Sequence, residues 1–327
     1  MKTMNYLSSN LLLKNKVHKL MRLSGAFMFS FSAYSFYKYQ IENKLTCFKE
    51  DISEDPMLRS RNKEPLNDKG NVLLFSGSAN PELANEVAER LGHKLGNAKV
   101  KRFADGECNI QIFESIRGKD IYIIQPTCPP VNEHLMELLL MISTFKRTSA
   151  KKITAIIPYY GYGRADRKMN SRVPISAADT AKMLETMGVD RVIAVDLHAG
   201  QIQGFFGPSV PVDNLEAQII MVESLLKNNQ LIKDFNKLVI VSPDAGGVYR
   251  AKSFAEILSK KTQSHVGLTM IVKQRIKANE VAKMELVGNV GGNDCIIIDD
   301  IIDTAVSLFY LKRELYVKQL RYWKTME

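Results

Sequence analysis

The residue types that could do chemistry in this chain gather in a few short stretches, and the densest is Cys295–Thr304, CIIIDDIIDT. Its unbroken apolar start, Cys295 to Ile298, reads as a buried strand. Asp299 and Asp300 follow at once, with Asp303 and Thr304 just beyond. In an open α/β sheet, ligands bind outside the carboxyl ends of the strands, where these acids would stand. Paired carboxylates there suit the vicinal hydroxyls of a ribose, or a Mg²⁺ ion shared with substrate oxygens. An Asp-Thr entry to a helix would also offer backbone N–H groups to a sugar phosphate. Taken alone, the same ten residues describe any strand end with solvated acids.

Four further clusters have a similar double reading. Phe103, Asp105, Gly106 and Glu107, in FADGE, form an acidic turn or a ligand loop. Arg164, Ala165, Arg167 and Lys168 lie close after Tyr159, Tyr160 and Tyr162. That is either a solvated basic loop or a polyphosphate clamp with stacking surfaces, because guanidinium binds phosphate through forked hydrogen bonds. His198 stands two residues after Asp196 in DLHAGQ, as a satisfied histidine or as a metal or phosphate contact. Asp244 precedes two glycines, a pattern for close backbone approach to a ligand at a helix start. Lys273 and Arg275, in VKQRIKANE, end an expected strand and lead into a polar segment that could close over a site as a mobile loop. Together the clusters point to phosphoryl-type transfer, which needs positioning, a metal, and cations aimed at developing charge.

Alternating elements must position these clusters. Strands are expected at 71–75, 109–113, 120–125, 153–158, 191–196, 238–242, 266–273, 285–290 and 295–299. Helices are expected at 81–95, 132–147, 175–187, 215–227 and 248–260. The first opens on Pro81 and carries Leu83, Val87 and Leu91 on one face; the third is stopped by Gly188. Such alternation predicts an α/β protein with two Rossmann-like domains and mainly parallel sheets, divided near residues 207–216. The expected plan is an extension and linker over 1–70, domains over 71–214 and 215–307, and a tail over 308–327.

Composition agrees with a folded globular chain: 45% hydrophobic and 24% charged residues over 327. The net charge of +10 sits mostly in the two ends, leaving a nearly neutral middle, which excludes a nucleic-acid-binding domain from the expectations. Cys47, Cys108, Cys128 and Cys295 form no C-x-x-C pair and read as reduced and mostly structural. Near the start, Lys14, Lys16, Lys19 and Arg22 precede the uncharged run Leu23 to Tyr37, with four serines. The run is short for a membrane span but suits a presequence. The expectation is a cytoplasmic protein with no stable membrane span, or alternatively an organelle address.

From about Asn71 to Thr304 the chain resembles ribose-phosphate pyrophosphokinase, the PRPP synthetase family. The resemblance rests on SGSANPELA, RFADGE, PYYGYGRADRK, VDLHAGQIQGFFGPSVPVDNL, VSPDAGGVYRAK, Lys273-Gln274-Arg275 and DDIIDT, all in order. It implies two phosphoribosyltransferase-like domains, usually assembled into hexamers, that make 5-phosphoribosyl 1-pyrophosphate and AMP from ATP and ribose 5-phosphate. On that basis Phe103, Asp105, Gly106, Glu107, Arg164, Ala165 and Arg167 contact ATP, partly across a subunit interface. His198 and Asp244 serve Mg²⁺–ATP, with Asp196 and Asp213 as further acids near the metal. Lys273, with Arg275 beside it, stabilises the pyrophosphoryl group in flight. Asp299, Asp300, Asp303, Thr304, Ala305, Val306 and Ser307 hold ribose 5-phosphate.

Four departures weaken that resemblance locally. Ala165 stands for the family's Gln, Gly207 for its Asp, and Val306-Ser307 for the Gly-Thr of its phosphate loop. A β-branched Val306 cannot take the backbone conformations open to glycine, and it fills space a phosphate would need. The end of the chain, LFYLKRELYVKQLRYWKTME, leaves the family pattern and reads as a basic amphipathic helix with Leu308, Leu311 and Leu315 on one face. The second domain is therefore expected to be incomplete, with its last sheet edge unpaired, and turnover to be poor. The rival expectation is a non-catalytic homologue that binds ATP and modulates family oligomers. A phosphoribosyltransferase acting on a base does not explain FADGE and GRADRK.

Overall fold

The computed structural model describes residues 71–227, 232, 234–277, 280–301 and 319–324. They fall into two compact units that meet in sequence at Ala217 and Gln218.

The first unit is built on five parallel strands in the order β1-β4-β5-β6-β7: β1 Val72–Ser76, β4 Asp120–Ile124, β5 Lys152–Ile157, β6 Arg191–Val195 and β7 Val212–Leu215. Helices α2 (Val131–Arg147) and α3 (Ser176–Met187) bury Leu138, Met141, Ile142, Phe145, Ala181 and Leu184 in one core with Phe75, Ile121, Ile123 and Ile153. Helix α1 (Pro81–Arg90) packs Ala84 and Ala88 with Leu74 and Ile124 in a second cluster. Neighbouring strand residues, Leu74 with Phe75 and Ile123 with Ile124, thus join different clusters. A sheet covered on both faces needs such continuous apolar runs. Between β1 and β4 an antiparallel hairpin projects, β2 (Ala98–Arg102) with β3 (Cys108–Ile112), its register running from Ala98 opposite Ile112 to Arg102 opposite Cys108.

Two sequence expectations are corrected here. Helix α1 stops at Arg90 and not near residue 95, because Gly92 turns the chain at φ +69°, leaving Leu91 61% exposed. The helix expected over 215–227 begins only at Gln218, as α4 (Gln218–Lys227), and Leu215 instead ends strand β7. The segment VDNL has no strong apolar period of its own; pairing with β6, Val192 opposite Val212 through Val195 opposite Leu215, makes it a strand.

The second unit holds a sheet in the order β10-β9-β8-β11-β12: β8 Leu238–Ser242, β9 Gly267–Lys277, β10 Glu280–Val287, β11 Asp294–Asp299 and β12 Gln319–Lys324. Only the β9–β10 pair is antiparallel. Helix α5 (Val248–Thr262) buries Ala251, Phe254, Ala255 and Leu258 and lies against β8, β9 and β11. Chain order runs from β8 to β9 on one side and returns to β11 on the other, so a topological switch lies between β8 and β11.

Two further expectations fail in this unit. The polar segment after residue 273 continues as strand over its described residues: β9 runs to Lys277 and pairs with β10, setting Lys273 opposite Met284 and Arg275 opposite Val281. The tail expected to be helical contributes β12, parallel to β11 from Asp294 opposite Gln319 to Asp299 opposite Lys324, so β11 is paired on both sides. Short apolar-aromatic segments fit either period, and here the neighbouring strand decides. Among the described residues, no helix is long and apolar enough to cross a membrane.

Candidate functional site

In the first unit the candidate residues stand at the hairpin tip and past the carboxyl ends of β5 and β6. At the tip, the Phe103 N–H donates to the Glu107 carbonyl at 2.8 Å, and the Gly106 N–H donates to the Phe103 carbonyl at 3.0 Å. The Asp105 carboxylate accepts from the Glu107 N–H at 3.0 Å, so one acid of FADGE also shapes its own turn. Gly106 sits at φ +97°, and the Phe103 ring is 54% exposed, an apolar face offered to solvent at the end of a polar turn.

The basic loop leaves β5 through Tyr159 and Tyr160. Tyr160 is buried, donates to the Ala177 carbonyl at 3.1 Å, and has its phenol pushed well above the usual range by that burial. Gly161 passes so close to the Thr127 carbonyl that an added Cβ would lie 2.7 Å from it. Tyr162 takes a left-handed φ of +62° and bonds Asn132 through its hydroxyl. Arg164, Arg167 and Lys168 are exposed, whereas Asp166 turns inward and accepts from Gln201 at 2.5 Å. A Cβ at Gly163 would lie 3.5 Å from the His198 side chain. The fold therefore brings the basic loop and DLHAGQ together. Ala165, in place of the expected Gln, bonds only through its backbone: its N–H to Tyr162 and its carbonyl from Ala177.

Asp196 is held at φ +44° just past β6, and its N–H donates to the Leu215 carbonyl at 2.9 Å. The Asn214 side chain accepts from the Leu197 N–H at 3.0 Å, so β7 steadies the turn that presents His198, which is exposed. Asp213 has a different employer: Arg191 Nε donates to its Oδ2 at 2.6 Å and Arg191 Nη2 lies 2.5 Å from the same oxygen. Gly207, where an Asp was expected, donates its N–H to Glu185.

In the second unit the acids flank the switch point. Asp244 follows β8; its Oδ1 accepts from the Gly247 N–H at 3.1 Å at the start of α5. Asp299 ends β11, and its Oδ1 accepts from the Asp300 N–H at 3.0 Å. Asp300 is buried, with Arg250 Nη1 3.4 Å from its Oδ1. Burial pushes Asp299 up to about 7, helped by a hydrogen bond to Asp300 and by the charges of Asp300 and Asp244. Asp300 has the guanidinium beside it, so Asp299 is the member that keeps a proton.

Lys273 and Arg275 lie within β9. Asp303, Thr304, Ala305, Val306 and Ser307 lie outside the described residues. Among the described residues, no group of three or more His, Cys, Asp and Glu forms a ready metal cage. Sequence reasoning passed over Arg250, although a cation just inside a helix after SPDAGG is a visible signal. It also passed over Arg191 and Asn214, which carry no signal without the pairing of β6 and β7.

The chain matches two family models, the N-terminal domain of ribose phosphate pyrophosphokinase over residues 72–188 and the phosphoribosyl transferase domain over 212–318. It is 48% identical over 238 residues to a ribose-phosphate pyrophosphokinase of Haemophilus ducreyi, covering 72% of each chain. Its identity to the Campylobacter jejuni protein of the same name is 50% over 234 residues, covering 71% of each. A crystal structure of phosphoribosylpyrophosphate synthetase from Mycobacterium smegmatis superposes with a TM-score of 0.68 at 38% identity, over 77% of this chain and 80% of that one.

Proposed function

The chain belongs to the ribose-phosphate pyrophosphokinase family, and we propose that it transfers the pyrophosphoryl group of Mg²⁺–ATP to O1 of ribose 5-phosphate. The observation that carries this reading is the trio Asp244, Asp299 and Asp300 at the switch point of the second sheet, with Arg250 as the cation beside Asp300. Ligands in open α/β sheets sit there, and ribose hydroxyls need acceptors of this type.

In this reading the O1 hydroxyl attacks the β-phosphorus and loses its proton to water, the bond from that phosphorus to the α,β-bridging oxygen breaks, and AMP leaves with the oxygen. The exposed Phe103 ring stacks on the base, while Arg164 and Arg167 engage the phosphates. Lys273, with Arg275 one strand repeat away, meets the charge that develops on the group in flight. Asp299 and Asp300 accept from the ribose hydroxyls, and residues 303–307 receive the 5-phosphate.

Mg²⁺ suits the donors present. The trio offers only oxygen, and the crowding that raises Asp299 is the kind a divalent cation relieves. In the second unit Asp244 would hold it; the family resemblance also names His198 and Asp196 of the first unit, whereas Asp213 is committed to Arg191. When bound, the ion would supply positive charge to the transferred phosphates. We read the protein as a homo-oligomer, as the family resemblance implies, placed in the cytoplasm or, through its basic, serine-bearing start, in an organelle.

Val306 and Ser307 favour a second reading, an ATP-binding homologue that modulates family oligomers. Rates of AMP release with and without ribose 5-phosphate separate the two. The transfer reading expects release that depends on the sugar, with a high KM for it. Tight ATP binding without sugar-dependent AMP would favour the modulator.

A further inference from the structure

Glu137 is a carboxylate in the wrong place for an ordinary helix. It interrupts the apolar stripe of α2 and is only 2% exposed. Both oxygens are engaged. The Ser78 hydroxyl donates to Oε1 at 2.6 Å and lies 2.8 Å from Oε2, which also accepts from the Ser78 N–H at 3.1 Å and from Gln125 Nε2 at 2.9 Å. Its cationic partner is Arg102, whose Nη2 lies 3.6 Å from Glu137 Oε1 and 2.6 Å from Glu133 Oε2, one helical turn earlier. A buried carboxylate held by neutral donors and one guanidinium is costly to assemble, and its removal leaves the other charge stranded.

Arg102 is the last residue of β2, and Phe103 follows it. Opposite Arg102 in the hairpin is Cys108, the residue after Glu107. The pair forms the neck of the loop that carries Phe103, Asp105 and Glu107. Cys108 feels the same cluster: burial raises its thiol, followed by the charge of Glu137. The hairpin is a separate two-stranded sheet, and Val100, Ile110 and Ile112 pack on the core of the first unit. Apolar packing fixes its face, but it does not fix the tip as a charged neck does.

The geometry points to Glu137 as a positioning residue for the nucleotide: through Arg102, its carboxylate holds the Phe103–Glu107 loop in the posture that binds ATP. This role rests on the nucleotide reading of the hairpin given above. It also ties that loop to Ser78, at the turn after β1, and to Gln125, just past β4, so two strand ends and the hairpin tip share one anchor.

Glu137→Gln and Arg102→Met, singly and together, test it. Each is measured for ATP affinity by calorimetry and for amide exchange over residues 103–112. Arg102 is partly exposed, so its variant folds even if the buried one does not. The expected result is about a tenfold rise in the ATP Kd for either variant, because each removes one charge of the Arg102–Glu137 ion pair. The double variant is no worse than the singles. Exchange quickens over 103–112 and stays unchanged in β8 and β11, and ribose 5-phosphate affinity holds. Nη2 faces both carboxylates, and Arg102→Lys, which keeps a cation there, recovers most of the affinity. Faster hairpin exchange with unchanged ATP affinity overturns the role, as does equal loss of both substrates. Unchanged exchange overturns the clamp itself. A wild-type chain that binds no ATP overturns the nucleotide reading, and this role with it.

Discussion

Replacing Asp299 with Asn should make the unliganded protein more stable at pH 8 while destroying sugar binding. The carboxyl rises from 3.8 to about 7 in the fold, chiefly through burial and then through Asp300. The folded state therefore holds a proton that the unfolded chain releases between those two values. Stability falls as pH climbs through that window, and above pH 7 the fold carries the full cost of the buried charge. At about 1.36 kcal/mol per pH unit, the rise corresponds to on the order of 4 kcal/mol. Asparagine resembles the protonated acid: its Oδ1 still accepts from the Asp300 N–H, and its amide can donate to the Asp300 carboxylate. An amide still has to be desolvated, so a gain of about 2–3 kcal/mol at pH 8 is expected, shrinking towards zero near pH 4. Urea unfolding of both proteins at the two pH values measures the difference directly. A variant that is destabilised at pH 8, or whose difference from wild type ignores pH, would refute the reasoning.

Arg250→Met removes the cation beside a buried Asp300 and should cost about 3 kcal/mol in urea unfolding near neutral pH, on the scale for stranding one member of a buried pair. Lys273→Ala should lower kcat by about 10²–10³ with little change in ATP affinity by calorimetry, because that cation acts on charge formed in the transition state. Cys295 is buried and its thiol is pushed up to about 12, so a thiol-labelling reagent at pH 8 should reach it only after denaturation. The same rise means that folding loses stability as pH climbs from 9.0 towards 12, visible in alkaline unfolding curves.

Much of the fold was legible because its strands are fully covered. Runs such as CIII and LVIVS are apolar on both faces, and that pattern has few alternatives. Strand β8 falls on the expected residues, and helices α2 and α3 begin within a residue of expectation. The failures share a cause. Strands β7 and β12 and the outer part of β9 are polar or mixed segments whose strand state comes from a neighbour's hydrogen bonds. Sequence period carries no trace of a neighbour. Candidate site residues stand out in the sequence where chemistry gathers locally, as at Asp299-Asp300 and FADGE. The partners that set its electrostatics were hidden, because Arg250 reaches Asp300 across some fifty residues and Arg102 reaches Glu137 across thirty-five.

Transfer of a two-phosphorus group is the central claim, and ATP labelled at its β-phosphorus tests it most directly. With Mg²⁺ and ribose 5-phosphate present, the label should appear in a ribose product carrying a pyrophosphate, with unlabelled AMP in equal amount. Label recovered in ADP, or no movement of label when the sugar is added, would contradict the account.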